Sequence, residues 1–195
     1  MKEAIVNKII KRLSGQRILN EIKLIFDEVS YPSTIRDISD LNVAKIKKED
    51  LTLLSKLGSC RIYYYLSKLN INRIPLTTKE RKTMKDLNKI KQITKSLENT
   101  SKMSTIYNIL SPTSEELISI IPNLYPSLKG KIKIFSRLKK IKPFITGREL
   151  KKIGFKPGQR YKYLLKKMFD LQLNKNIKNR REAIRYLKNL KKGYG

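Results

Sequence analysis

Seven prolines, at positions 32, 75, 112, 122, 126, 143 and 157, divide a sequence whose apolar residues otherwise recur at helical spacing. Proline removes a backbone donor and its ring clashes with the preceding turn, so each position predicts a helix boundary. Ile5, Val6, Ile9, Ile10 and Leu13 share one face of a first helix, and Ile18, Ile22, Ile25 and Phe26 one face of a second. Ser14 can cap the second by accepting a first-turn N–H. Thr77-Thr78-Lys79-Glu80 has the spacing of a capping box and opens a helix striped by Met84, Leu87, Ile90 and Leu97. Asn179-Arg180-Arg181-Glu182 opens a last helix bearing Ala183, Ile184, Leu187 and Leu190. Lys131 to Phe135 alternates polar and apolar like a short strand, but no partner strand is evident. The chain is expected to be all-α, an elongated array of short helices divided into segments 1–60, 61–140 and 141–195. Its Lys-rich end, Lys188 to Gly195, is expected to fray.

Charge constrains the partners. The 195 residues carry 45 Lys and Arg against 16 Asp and Glu, a formal net charge of +29. Such an excess repels itself in a compact fold unless a polyanion neutralises it, which points to nucleic acid. Codon bias would spread the excess evenly, yet residues 1–50 hold 10 basic and 8 acidic side chains, and residues 151–195 hold 15 and 2. The C-terminal end is therefore the expected binding region. With no His and one Cys, Ser-His-Asp and Cys-His catalysis, imidazole metal sites and disulfide frameworks are excluded. A single cysteine fits a reducing, cytoplasmic compartment. No apolar run is long enough to span a bilayer, and no secretory signal is read at the start. Met1 to Leu13 is basic and amphipathic, but Glu3 and the short length favour packing on the next helix over a lipid surface.

The most informative stretch begins Ile145-Thr146-Gly147-Arg148-Glu149-Leu150-Lys151-Lys152-Ile153-Gly154-Phe155-Lys156-Pro157-Gly158-Gln159-Arg160. Thr146 and Glu149 form a capping box, Gly154 can end the short helix in the left-handed conformation, and Pro157 presets the next helix. That helix should turn Tyr161, Leu164, Leu165, Met168 and Phe169 inward. The product is a helical hairpin with a Gly-x-x-Pro-Gly turn. The second helix's N-terminal N–H groups form an anion site, and Gly158 allows close backbone approach. Arg148, Lys151, Lys152, Lys156 and Arg160 surround it as candidate RNA-binding residues. A structural corner with solvated lysines is the competing reading.

This stretch resembles the tail of the class II CCA-adding enzyme and poly(A) polymerase family. The likeness rests on Thr146-Gly147, Glu149-Leu150, the turn Gly154 to Gly158, Leu164-Leu165, Gln172-Leu173 and Arg181-Glu182-Ala183. Upstream, Ser14-Gly15-Gln16-Arg17-Ile18 with Glu21-Ile22 looks like the family's neck motif. Pro75-Leu76-Thr77-Thr78-Lys79-Glu80-Arg81 looks like the opening of a body helix. The resemblance implies neck, body and tail segments that grip tRNA or another structured RNA.

The family's catalytic head carries Gly-Ser followed by Asp-x-Asp, a carboxylate pair that holds two metal ions. No Asp-x-Asp occurs here, and Gly58-Ser59 is followed by Cys60-Arg61. The nucleotide-selecting segment would lie before residue 1. The resemblance therefore implies a polypeptide without catalytic residues or cofactor of its own, with Mg2+ and CTP or ATP held by a separate catalytic head protein. Such a chain is an RNA-binding portion or one half of a split enzyme. A helical-hairpin DNA-binding module and a decayed fragment are the other readings. Asp37 and Asp40, three apart, read as a helix face or cap rather than a metal site. Arg17 and Glu21 either form an i,i+4 pair or face a partner. Tyr63-Tyr64-Tyr65 cannot all point the same way on a helix, so at least one is expected to be exposed; the readings are base stacking and core packing with phenolic hydrogen bonds.

Overall fold

The computed structural model describes residues 12–27, 48–69 and 74–192, and these form eleven α-helices and two 3-10 turns with no strand among them. The chain is all-α. The helices are α1 Gly15–Asp27, α2 Lys48–Lys56, α3 Arg61–Lys68, α4 Thr78–Asn88, α5 Ile90–Glu98 and α6 Met103–Leu110. They continue as α7 Glu115–Leu124, α8 Lys129–Leu138, α9 Gly147–Ile153, α10 Gln159–Leu173 and α11 Arg180–Lys192. The expected first helix and the Asp37–Asp40 pair lie outside the described residues.

Packing divides the chain into two compact units, one of Met1–Thr94 with Thr113–Ser127 and the other of Lys95–Pro112 with Leu128–Gly195. Their limits fall elsewhere than at 60 and 140, and each unit is built from two stretches of chain.

In the first unit, Ile18, Leu19, Ile22 and Phe26 bury the inner face of α1. Ser14 caps it, its Oγ accepting the N–H of Arg17 at 3.2 Å. Charged groups here serve the fold. Arg61 donates to the Phe26 carbonyl at 2.6 Å, and the buried Asp50 accepts the Tyr64 hydroxyl. The Thr77–Glu80 capping box forms, with the Thr77 N–H 2.8 Å from Glu80 Oε2. Arg81 donates to the carbonyls of Ile74 and Leu76 at 3.1 Å each, and Lys79 pairs with Glu116 at 2.6 Å. The expected body helix is two helices. The last turn of α4 tightens at Lys89, whose N–H reaches back to Asp86 O at 3.0 Å, and α5 starts at once.

Pro122 departs from the expected punctuation. It lies inside α7, close enough to the end that only Asn123 and Leu124 follow. Leu117 and Ile121, both fully buried, hold that helix in place despite the missing donor.

In the second unit, Ile145, Leu150, Leu164, Met168, Ile177, Ala183 and Leu187 form one buried cluster. Tyr161, Leu165, Ile184 and Leu190 pack half-buried at its edge, and Phe169 meets Tyr107 edge-on at 5.2 Å. Asn174 binds both the backbone N–H of Ser104, at 3.0 Å, and its hydroxyl, at 2.9 Å. Gln172 accepts the Phe144 N–H and donates to the Lys142 carbonyl, each at 2.8 Å.

Lys131 to Phe135 is helical, within α8. There Lys131 caps α5, donating to Glu98 O at 3.0 Å and to Leu97 O, and Phe135 is buried. The basic end does not fray at Lys188 either. Helix α11 continues to Lys192 because Leu187 and Leu190 anchor its inner face on the cluster.

Candidate nucleic-acid interface

Thr146 and Glu149 close the capping box of α9, with the Thr146 N–H 2.8 Å from Glu149 Oε2 and the Thr146 hydroxyl on the same carboxylate. These bonds, with Arg180 at 2.9 Å, hold the Glu149 carboxyl at about 2, below the ordinary carboxylate range. At the other end of α9, Gly154 takes φ 89°, a conformation glycine adopts without a Cβ penalty. The Phe155 N–H then bonds back to Leu150 O at 3.1 Å, closing the left-handed cap.

A Cβ on Gly154 would strike the ammonium of Lys191, which donates to Ile153 O at 2.9 Å. Lys191, absent from the sequence expectations, is thus the cap of α9. Arg180 and Lys191 tie the two ends of α11 to the two ends of the seven-residue α9.

The turn is completed by Gly158, the N-cap of α10, at φ 153° and ψ −167°. Pro157 stands ahead of this cap and not in the first helical turn. A glycine cap has no side chain to occupy the first-turn N–H groups. One of them, that of Tyr161, is taken by Gly158 O at 3.0 Å. The Tyr161 hydroxyl donates to Phe155 O at 3.0 Å, fixing the loop over the helix it precedes.

The predicted cations separate into two groups. Lys156 and Arg160 line a cavity of about 310 Å3 with Gly154, Phe155, Tyr161, Leu164 and Lys191. Arg148, Lys151 and Lys152 do not line it. They occupy positions i, i+3 and i+4 of α9, opposite the fully buried Leu150, and all three are exposed. Gly158 is exposed, with open space where a Cβ would stand.

A second cationic face was not singled out in the sequence. Arg181, Arg185, Lys188 and Lys192 follow one another at spacings of four, three and four along α11, and all are exposed. They form a single stripe about 16 Å long at 1.5 Å per residue. None of the four enters an ion pair among the described residues, whereas Arg180 and Lys191 on the flanks of the same helix are both engaged. The sequence signal was available in the helical spacing of basic residues after the Asn179–Glu182 cap. That cap forms, with the Glu182 N–H 2.9 Å from Asn179 Oδ1.

The neck-like residues belong to the first unit. Ser14 is a helix cap, while Arg17 and Glu21 are both exposed and form no ion pair with each other. The tyrosine triplet is buried more completely than expected. Tyr64 and Tyr65 lie in the core and Tyr63 is half-buried, its hydroxyl donating to Glu80 at 3.0 Å. Burial, with the Glu80 carboxylate beside it, pushes the Tyr63 phenol up to about 12. Core packing with phenolic hydrogen bonds is the reading that holds, and no ring is left exposed because the three tyrosines find partners on three sides: Asp50, Phe26 and Glu80.

Among the described residues no cluster of three or more Cys, Asp or Glu side chains is arranged to hold a metal ion, and no helix is long and apolar enough to cross a membrane. The chain matches no protein-family profile, no curated protein and no solved structure.

Proposed function

We propose that this chain binds the phosphate backbone of structured RNA through its second unit, and that the RNA is tRNA. The observation that carries the reading is the juxtaposition of a rigid glycine corner with open cationic faces. The Gly154 cap and the capping box fix α9, so Arg148, Lys151 and Lys152 stand outward on a helix too short to hold itself. The α11 stripe adds four unpaired cations in register. A-form RNA displays shape and phosphates more than base edges, which suits Lys and Arg on rigid helices.

The narrower reading follows from the motif order. The chain acts as the neck, body and tail part of a tRNA nucleotidyltransferase, holding the acceptor end for CCA addition. In this reading the metal-binding carboxylates, with Mg2+ and CTP or ATP, belong to a catalytic head outside these 195 residues, in which no Asp-x-Asp occurs. It works in the cytoplasm.

Two measurements test this. In competition at fixed salt, tRNA should displace labelled tRNA better than duplex DNA of similar size, and affinity should fall steeply as salt rises. Equal competition by duplex DNA would favour the helical-hairpin DNA module instead. The chain alone should add no CTP or ATP to tRNA, and addition should appear on mixing with a protein bearing Gly-Ser and Asp-x-Asp. Extension by the isolated chain overturns the split reading.

A further inference from the structure

Of the eight tyrosines and five phenylalanines described, twelve are buried or half-buried, and Tyr163 alone is exposed, at 63%. A single exposed ring needs no explanation by itself. The surroundings of this one set it apart. Tyr163 lies in α10 with Lys162 adjacent and Lys166 three residues after, both on the outer side of the helix and exposed, while Arg160, three residues before it, lines the cavity with Leu164. The inner side is occupied by Leu164 and Met168 in the core cluster. Among the described residues, no hydrogen bond, ring contact or ion pair engages the Tyr163 side chain. The other two tyrosines of the region are committed, Tyr161 to the Phe155 carbonyl and Tyr186 to Lys167, whose ammonium stands 5.8 Å from its ring centroid.

An aromatic face left open beside two cations, one adjacent and one a helical turn on, has the chemistry of a nucleotide platform. The ring offers a π-surface to a base, and the cations take the flanking phosphates. Duplex bases are already stacked on one another and show no free face, so the ligand class is an unpaired nucleotide. We infer that Tyr163 is a stacking platform for an unpaired base of bound RNA, with Lys162 and Lys166 holding the adjoining phosphates. The inference rests on the RNA reading above and assigns to it a single-stranded contact that the phosphate-binding faces do not supply.

The chain contains no Trp, so Tyr163→Trp introduces the sole indole and reports on this position directly. The full chain is titrated with an unpaired ten-nucleotide RNA, with a blunt RNA duplex of equal length, and with tRNA. Indole emission should be quenched by the unpaired RNA and little changed by the duplex. Tyr163→Ala should weaken the unpaired RNA by roughly 5- to 150-fold while leaving the duplex unaffected. Tyr163→Phe, which keeps the ring and removes the hydroxyl, should bind as the parent does.

Equal affinity of Tyr163→Ala and parent for unpaired RNA overturns the platform, and tRNA binding by both leaves the tRNA reading standing. Tyr163-dependent binding of unpaired RNA without preference for tRNA keeps the platform and overturns the tRNA reading. Absence of binding to every RNA overturns both.

Discussion

The two units use charge in opposite ways. The first has 109 residues with 20 basic and 12 acidic side chains, a net +8. The second has only 86 residues with 25 basic and 4 acidic side chains, a net +21. In the first, cations close structural gaps: Arg61 and Arg81 saturate carbonyls, and Lys79 meets Glu116. In the second, Lys131 and Lys191 do similar work, but whole helix faces are left with cations and no acid to meet them. The stripe on α11 even runs against local electrostatics. Arg181 and Arg185 stand in the N-terminal half of the helix, where the macrodipole disfavours positive charge, and like charges four apart repel. Stability alone does not ask for that arrangement, which the proposed RNA phosphates would neutralise.

The contrast breaks most visibly in salt dependence. Replacing Arg181, Arg185, Lys188 and Lys192 by Gln should lower the slope of log affinity for tRNA against log salt by about 3 to 4, at roughly 0.9 for each phosphate that the variant no longer neutralises. The same change at Lys56, Lys82, Lys85 and Lys89 of the first unit, all exposed, should alter the slope by less than about 1. Equal slopes in the two variants would erase the distinction between the units.

Next in size is the support beneath the cationic corner. Leu150→Ala removes a fully buried side chain from the cluster that carries α9 and should cost about 2–5 kcal/mol in urea unfolding.

The two capping boxes sharpen the comparison through pH. Glu149 is held at about 2, and Glu80 in the first unit is also lowered, first by the Thr77 hydroxyl and N–H. A carboxyl depressed in the folded state stabilises fully above its unfolded value near 4.5, and the contribution disappears as pH falls toward the folded value. The midpoint of thermal unfolding should therefore drop more between pH 5 and about 2 in the parent chain than in Glu149→Gln. Parallel profiles would mean that Glu149 contributes nothing beyond its place in the sequence.

Two smaller effects concern the backbone. Ser14→Ala should cost about 0.5–2 kcal/mol through the lost cap of α1. Lys175, the one described non-glycine residue at positive φ (61°), closes the C-terminal end of α10, with the Asn176 N–H 2.9 Å from Leu171 O. Lys175→Gly should stabilise the chain by about 1 kcal/mol with little change in tRNA affinity.

What could be read from the sequence was local. The caps at Ser14, Thr77, Thr146 and Asn179 each depend on residues three apart, and all four form. Gly154 and the apolar stripe through Leu164 and Met168 are local in the same sense. What escaped was set by distance along the chain. Lys191 caps a helix 38 residues earlier, and Asn174 reaches Ser104 across 70. Pairings of this kind have no spacing rule to reveal them. The same reason hid the partners of the tyrosine triplet, since Asp50 and Phe26 come from other helices. Of the candidate site, the residues of the corner were legible, but their division between a cavity and an outer face of α9 was not. The α11 stripe was present in the spacing and hidden by an expected frayed end.

The lysine caps bear on how this surface answers to chemical labelling. Lys131 and Lys191 have their ammonium protons committed to main-chain oxygens, while Lys188 and Lys192 stand in water. An acylating reagent should modify the second pair first and leave the helix ends intact. The extent of modification at Lys191 then registers whether the closing helix is still latched to its short neighbour, with or without RNA in the tube.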